Sequence, residues 1–192
     1  MQTMPSSMRH AAGALAVLVT VTAGLSAQGA PAAPARLSGP VIEPWGGTFE
    51  VPPGSLMPPT NADIKVKFDV GSPNDDPAKV NAKIDQVARF LNMNARAGVP
   101  RERLKVALVM HTTAAKDALG NAGYRSRYGV DNPNLPLLEA LGRAGARIYV
   151  CGQSAASRGL KFDEIAPPAK VALSAMNAHA ILASEGYSTN PF

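Results

Sequence analysis

The chain has 192 residues, enough for one well-cored domain with attachments and too few for two domains of ordinary size. With 46% hydrophobic and 17% charged residues, it has the composition of a folded, Ala-rich protein and not of a disordered one. Its 19 Lys and Arg against 14 Asp and Glu give a mild formal charge of +5, and the loose basic stretches "RERLK" and "YRSRYG", with Glu102 and Asp117 interrupting the sequence around them and no aromatic stacking platform, argue against a nucleic-acid partner.

The chain opens with "MQTMPSSMRH", which carries Arg9 and no acid, followed by the uncharged run "AAGALAVLVTVTAGL" and the small residues "SAQGA". This is the pattern of a secretory leader, here residues 1–27, cut after Ala27 or Gly29. The apolar run is shorter than a bilayer span requires, so cleavage is expected and no stable membrane anchor remains. Without Arg9 the mature chain keeps 18 basic and 14 acidic residues, a formal charge of +4.

Residues 28–62 are dense in Pro and Gly with isolated apolar side chains, Val41, Ile42, Trp45, Phe49 and Val51. Such a stretch builds no core of its own. It is either a flexible linker or an extended arm that docks through Trp45 and Phe49 on the domain or on a neighbouring subunit.

From residue 63 to 192 the texture is that of a folded domain. "IKVKFDV" (64–70) alternates at period two and is a strand. Asp76 is then placed as N-cap and Pro77 as first residue of a helix through Val80, Ile84, Val87 and Leu91, ending at Gly98. "LKVALVM" (104–110) is nearly continuous in apolar residues, as a strand covered on both faces would be, and it ends at His111. Thr112 or Thr113 is placed to cap a short helix. "YRSRYGVDNPN" (124–134) reads as an irregular loop, and Asn134 as the cap of a helix through Leu135, Leu138 and Leu141. "ARIYV" (146–150) is a third strand that delivers Cys151, residues 153–158 form a short helix, "KVALSA" (170–175) is a fourth strand, residues 176–185 are a helix, and "GYSTNPF" is a terminal extended segment. Strands alternating with helices specify an α/β fold: a three-layer domain with a mainly parallel sheet.

In such sheets reactive groups gather outside the carboxyl ends of the strands. The residues leaving those ends are Asp69 or Gly71, His111, Cys151 and Ser174. If the second and third strands are neighbours, His111 and Cys151 lie within reach of one another. Cys151 is the only cysteine, so no intrachain disulfide forms and the thiol is buried, paired with another molecule, or chemically used. Backbone N–H groups of Gly152, Gln153 and Ser154, with Arg158 folding back, would lower its pKa. The alternative is a small apolar Cys plugging a strand end. "GQSAASRG" lacks the second Gly of a nucleophile elbow, and neither a phosphate-binding glycine loop nor a zinc ligand set is present, so no resident metal or cofactor is expected. A soft-metal site from Cys151, His111 and Met110 or Met176 has no recognised spacing. His179, inside the last helix, reads as a satisfied surface or groove residue.

Taken together, "VALVMHTTA", "DNPNLPLLEALGRAGARIYVCGQSAASRG", "VALSAMNAHAILASEGY" and the final "PF" resemble the DsrE/DsrF-like sulfur-relay family, in particular its exported single-domain members. The resemblance runs from about Val66 to Phe192. It departs at Thr112, where many exported relatives carry Gly. It implies an α/β/α sandwich with a five-stranded sheet, assembly as a homotrimer or hexamer, and an exported, periplasmic location. It further implies a sulfur carrier or transferase in which Cys151 accepts sulfane sulfur as a persulfide from a donor and yields it to an acceptor thiol, on a protein or a small molecule. His111 is then base or electrostatic partner, and Asn94 or Asn134 supplies hydrogen bonds to the cargo. The reading from another class is a non-catalytic oligomeric module that binds a small ligand or soft metal in the Cys151/His111 cleft.

Overall fold

The structure, a computed structural model, describes residues 34–190; the expected leader, the start of the Pro/Gly-rich stretch and the closing "PF" lie outside the described residues. Five strands, β1 (Ile64–Val70), β2 (Leu104–Met110), β3 (Arg147–Cys151), β4 (Lys170–Ala172) and β5 (Ser188–Asn190), form one sheet in the order β4-β3-β2-β1-β5. Every pairing is parallel. β2 is central and, apart from Lys105, wholly buried, which explains its nearly unbroken apolar sequence.

Alternation along the strands sorts side chains onto two faces. On one, Val66, Phe68 and Val70 join Val106, Leu108, Met110, Ile148 and Val150 in the main core. Helices α1 (Ala82–Arg96) and α3 (Leu135–Arg143) cover it with Ile84, Val87, Leu91, Leu137, Leu138 and Leu141. The other face is thinner: Ala107 and Val109 meet Ala178 and Leu182 of α5 (Ala175–Ser184). The result is the expected α/β/α sandwich, with α2 (Asn121–Tyr128) and α4 (Gly152–Ser157) set at the carboxyl edge.

Local signals misplace several boundaries. α1 begins after Asn81, not at Asp76 and Pro77, because Asn81 caps it by accepting from Lys83 N. The Asp76 carboxylate instead accepts from Ala78 N and closes a preceding turn. Residues 121–128 are helical, so the first part of the stretch 124–134, expected to be an irregular loop, is instead the end of a helix. Tyr124 is fully buried, stacks on Tyr128 at 4.7 Å and donates its hydroxyl to Pro77 O, so burial overrides weak propensity. Neither Thr112 nor Thr113 caps the segment after β2: His111 holds the cap position of a 3-10 helix, Thr112–Ala118, without a side-chain cap bond. β4 ends at Ala172 and not 175, since Ser174 leaves the sheet to cap α5 by accepting from Asn177 N.

Residues 36–48 lie against α1. Leu37 and Thr48 form an antiparallel bridge, and Ile42 enters the core at 2% exposure. Asn92 holds this loop: its Oδ1 accepts from Val41 N and Ile42 N, and its amide faces the carbonyls of Ile42, Trp45 and Gly46. Gly46 N donates to Asp85 Oδ1 at 2.7 Å. At φ +65°, with a built Cβ only 2.3 Å from Arg89 N, position 46 admits only glycine. Trp45 therefore packs on its own domain, while Phe49, Val51, Leu56 and Met57 stay exposed. Asn92→Ala leaves one buried and one partly buried N–H group, and their facing carbonyls, without a side-chain partner. It is expected to lower the unfolding free energy by about 2–4 kcal/mol in urea titration and to open residues 36–48 to proteolysis.

Candidate functional site

Parallel register brings the expected residues to one edge and one face. The last β2–β3 pair is Met110 with Val150, so His111 and Cys151, one residue further, stand abreast on neighbouring strands. Both point to the α5 side, as does Asp69, the penultimate residue of β1 and the last on that face.

Cys151 is at once the last residue of β3 and the N-cap of α4. Its Sγ accepts from Ser154 N at 3.4 Å. The thiol is only 5% exposed, and burial opposes its ionisation. The Ser154 hydroxyl and the backbone N–H groups of Ser154, Ala175 and Gln153 outweigh that cost and hold the pKa below the ordinary thiol value. Ala175 opens α5, so the thiol is served by the first turns of two helices. Ser154 Oγ also accepts from Thr112 N at 2.9 Å, which leaves the hydroxyl proton for the sulfur. Thr112 reaches this position at φ +45°, a region that favours glycine, and its hydroxyl is tied back to Gly71 O.

At the same edge and on the same face, Asp69 and His111 are joined by His179 of α5, a residue that the sequence pattern did not place in the site. Asp69 Oδ1 is 2.7 Å from His179 Nε2 and 2.8 Å from His111 Nε2. His179 is hydrogen-bonded there; His111 Nε2 makes the contact without hydrogen-bond alignment. The Asp69 carboxylate thus spans the end of β1, the end of β2 and the middle of α5. His179 is satisfied, as expected, but its partner is a strand-end acid. Lys67, on the same face of β1 as Asp69, donates to His179 O at 2.9 Å and fixes that turn of α5.

The remaining candidates divide. Ser154 and Gln153 contact the thiol as described, and Gln153 Nε2 also donates to Leu173 O. Gly152 is there for packing: a Cβ would come 2.8 Å from Ala172 O, so only glycine lets α4 start against β4. Arg158 caps the far end of α4 and does not fold back to the sulfur. Asn94 is on the last turn of α1, at the opposite edge of the sheet, where its amide donates to Phe90 O. Asn134 is at the carboxyl edge but fully engaged, accepting from Asn81 N and donating to Asn132 Oδ1. Both side chains are thus engaged within the protein, and neither contacts Cys151. Met110 is also excluded from a soft-metal set, because it is buried in the main core on the other face. Among the described residues no group of three or more His, Cys, Asp or Glu side chains is placed to hold a metal ion, and no helix is long and apolar enough to cross a membrane.

A model of the DsrE/DsrF-like family matches residues 65–190. Among solved structures, the chain is similar to a protein of unknown function, MTH1491, from Methanobacterium thermoautotrophicum, with 19% identity over 67% of this chain and 98% of that one and a TM-score of 0.49. It is similar also to the YchN protein from E. coli, with 11% identity over 66% of this chain and 96% of that one and a TM-score of 0.49. No curated protein matches.

The geometry makes thiolate formation depend on Ser154. The alkylation rate of Cys151 is expected to rise with pH through a midpoint below that of an unperturbed thiol, and Ser154→Ala is expected to move the midpoint upward. A wild-type midpoint at or above the ordinary value of about 8.5 would show a merely structural cysteine.

Proposed function

Because the chain belongs to the DsrE/DsrF-like family, which is implicated in sulfur relay, we propose that it is an exported, periplasmic carrier of sulfane sulfur, with Cys151 as the persulfide-forming thiol. The observation that supports this reading is the setting of Cys151. A sole cysteine is held at the carboxyl edge of a parallel sheet, between the first turns of α4 and α5, with donors that favour thiolate.

The chemistry is a displacement at sulfur. Cys151 Sγ, as thiolate, attacks the outer sulfur of a donor persulfide. A bond forms between Sγ and that sulfur, the donor's S–S bond breaks, and the donor leaves as thiolate with the electron pair. The added sulfur extends the side chain by about 2 Å, which lifts the reactive atom out of a site where Sγ itself is almost covered. An acceptor thiolate then attacks the outer sulfur and Cys151 departs as thiolate. The Ser154 and Ala175 donors stabilise anionic sulfur in both the resting and the leaving state, and His111, placed by Asp69, provides an imidazole beside it. Nothing in the cycle requires a resident cofactor, and the role is that of a carrier or sulfurtransferase.

The same reading includes assembly of the chain with copies of itself, as a homotrimer or hexamer. Val171, Leu173, Met176 and Ile181 expose apolar side chains over β4 and α5, close to the thiol. Two measurements test these statements. Incubation with polysulfide, followed by intact-mass spectrometry, is expected to add sulfur to the wild type, reversibly with thiol reductant, and not to Cys151→Ser; no gain in the wild type would sink the carrier reading. Leu173→Glu combined with Met176→Glu is expected to reduce the native mass in light scattering to that of one chain, and an unchanged mass would remove this face from the assembly.

A further inference from the structure

At the end of α4 remote from Cys151 the surface folds into a cleft of about 430 Å³. Its lining includes Lys116, Arg127 and Arg158 and no carboxylate. Two of the three cations are fixed in place from behind. The Lys116 ammonium donates to Asp117 Oδ1 and to Tyr124 Oη, both at 3.0 Å, and lies 5.0 Å from the ring centres of Tyr124 and Tyr128. Arg127 donates to Gly123 O and Gly159 O and pairs with Glu164 at 2.8 Å. Arg158 stands at the mouth, exposed and with no acid against it among the described residues. Thr113 and Ser157 also line the cleft, their hydroxyls donating to Gly71 O and Ser154 O, and Tyr128 contributes an apolar wall.

We propose that this cleft binds a small oxyanion, free or as the headgroup of a larger molecule. Lys116 and Arg127 are compensated but held in place, so their positive charge faces the cleft at little cost in side-chain ordering; Arg158 supplies the uncompensated charge. The cleft lies at the carboxyl edge, where α/β sheets gather ligands, and its volume falls within the range of small-molecule sites. It exceeds what a single ion needs, which leaves room for an organic stem along Tyr128. The site is distinct from Cys151 and does not require the thiol.

The test is binding to the leader-free chain, read by thermal melting and by isothermal titration at constant ionic strength with chloride as the control salt. The probes are inorganic sulfate and ethanesulfonate. Saturable binding of either is expected in the wild type and in Cys151→Ser, and about a tenfold loss of affinity in Arg158→Gln, the effect of removing one charge-assisted contact. Tighter binding of sulfate assigns the free ion, and tighter binding of ethanesulfonate assigns a headgroup with an organic stem. Absence of saturable binding, or binding that Arg158→Gln leaves unchanged, overturns the proposal. Because Cys151→Ser is expected to bind normally, failure of the sulfur-carrier reading and failure of this one are separable.

Discussion

Parallel pairing of β1, β2 and β3 sends every strand out of the sheet at the same edge, and the alternation of side chains then decides which residues meet there. In the register Ile64 with Leu104 through Val70 with Met110, and Met110 with Val150, the even-numbered residues of these strands enter the main core. Asp69, His111 and Cys151 are odd-numbered and share the α5 face. A one-residue slip of β3 would send the thiol into the core and bring Val150 to the edge. The chemistry of the site therefore rests on a ladder of backbone hydrogen bonds whose register is enforced by burial of Val66, Phe68, Leu108, Met110, Ile148 and Val150.

That edge is loop-rich, and loops at a sheet edge need their own means of order. Here it is a buried polar network. Asn81 donates to Asp117 Oδ2 and to Ser72 O, and its own N–H donates to Asn134 Oδ1. Asn132 donates to the carbonyls of Asp117 and Leu119. Asp117 has no exposed surface; burial pushes its carboxyl pKa up, opposed by Asn81 and Lys116. Such a network rigidifies when each member is satisfied and is costly to leave half-made. It ties the loop after β1, the 3-10 helix after β2 and the start of α3 into one unit. The same unit holds Thr112 against Ser154 on one side and Lys116 against the cationic cleft on the other.

The thiol and the Asp69 cluster sit on the thinner layer. Only Ala178 and Leu182 of α5 join the buried cluster beneath it, so the helix depends on polar ties at its ends and middle: Ser174 at the cap, Lys67 and Asp69 to His179. An Ala-rich helix with exposed Met176 and Ile181 is incompletely used by its own chain. Residues 36–48 show the opposite case, a Pro- and Gly-rich stretch without a core of its own that becomes ordered because a single side chain, Asn92, meets five of its backbone groups.

Much of the layered fold was legible in the chain because periodicity is a local property. "IKVKFDV" and "LKVALVM" reveal their faces by alternation and by continuous burial, and Val87, Leu91, Leu138 and Leu141 reveal theirs by helical spacing. The strand-end placement of His111 and Cys151 follows from the same patterns, as does the possibility of donors from the residues after Cys151. What could not be read locally are pairings between distant segments. Tyr124 turns an expected loop into a helix by burying its ring and donating to Pro77 O, and Asn81, the cap of α1 in place of Asp76, donates its N–H to Asn134 Oδ1, through partners 47 and 53 residues away. The sequence by itself determined that a lone thiol would stand at the carboxyl edge of a parallel sheet, since strand and helix periods are written into neighbouring residues. Only the tertiary structure decided that Ser154 and Ala175 hold that thiol, that Asp69 gathers two histidines beside it, and that three cations line a cleft at the other end of α4, because contacts between distant segments arise from packing.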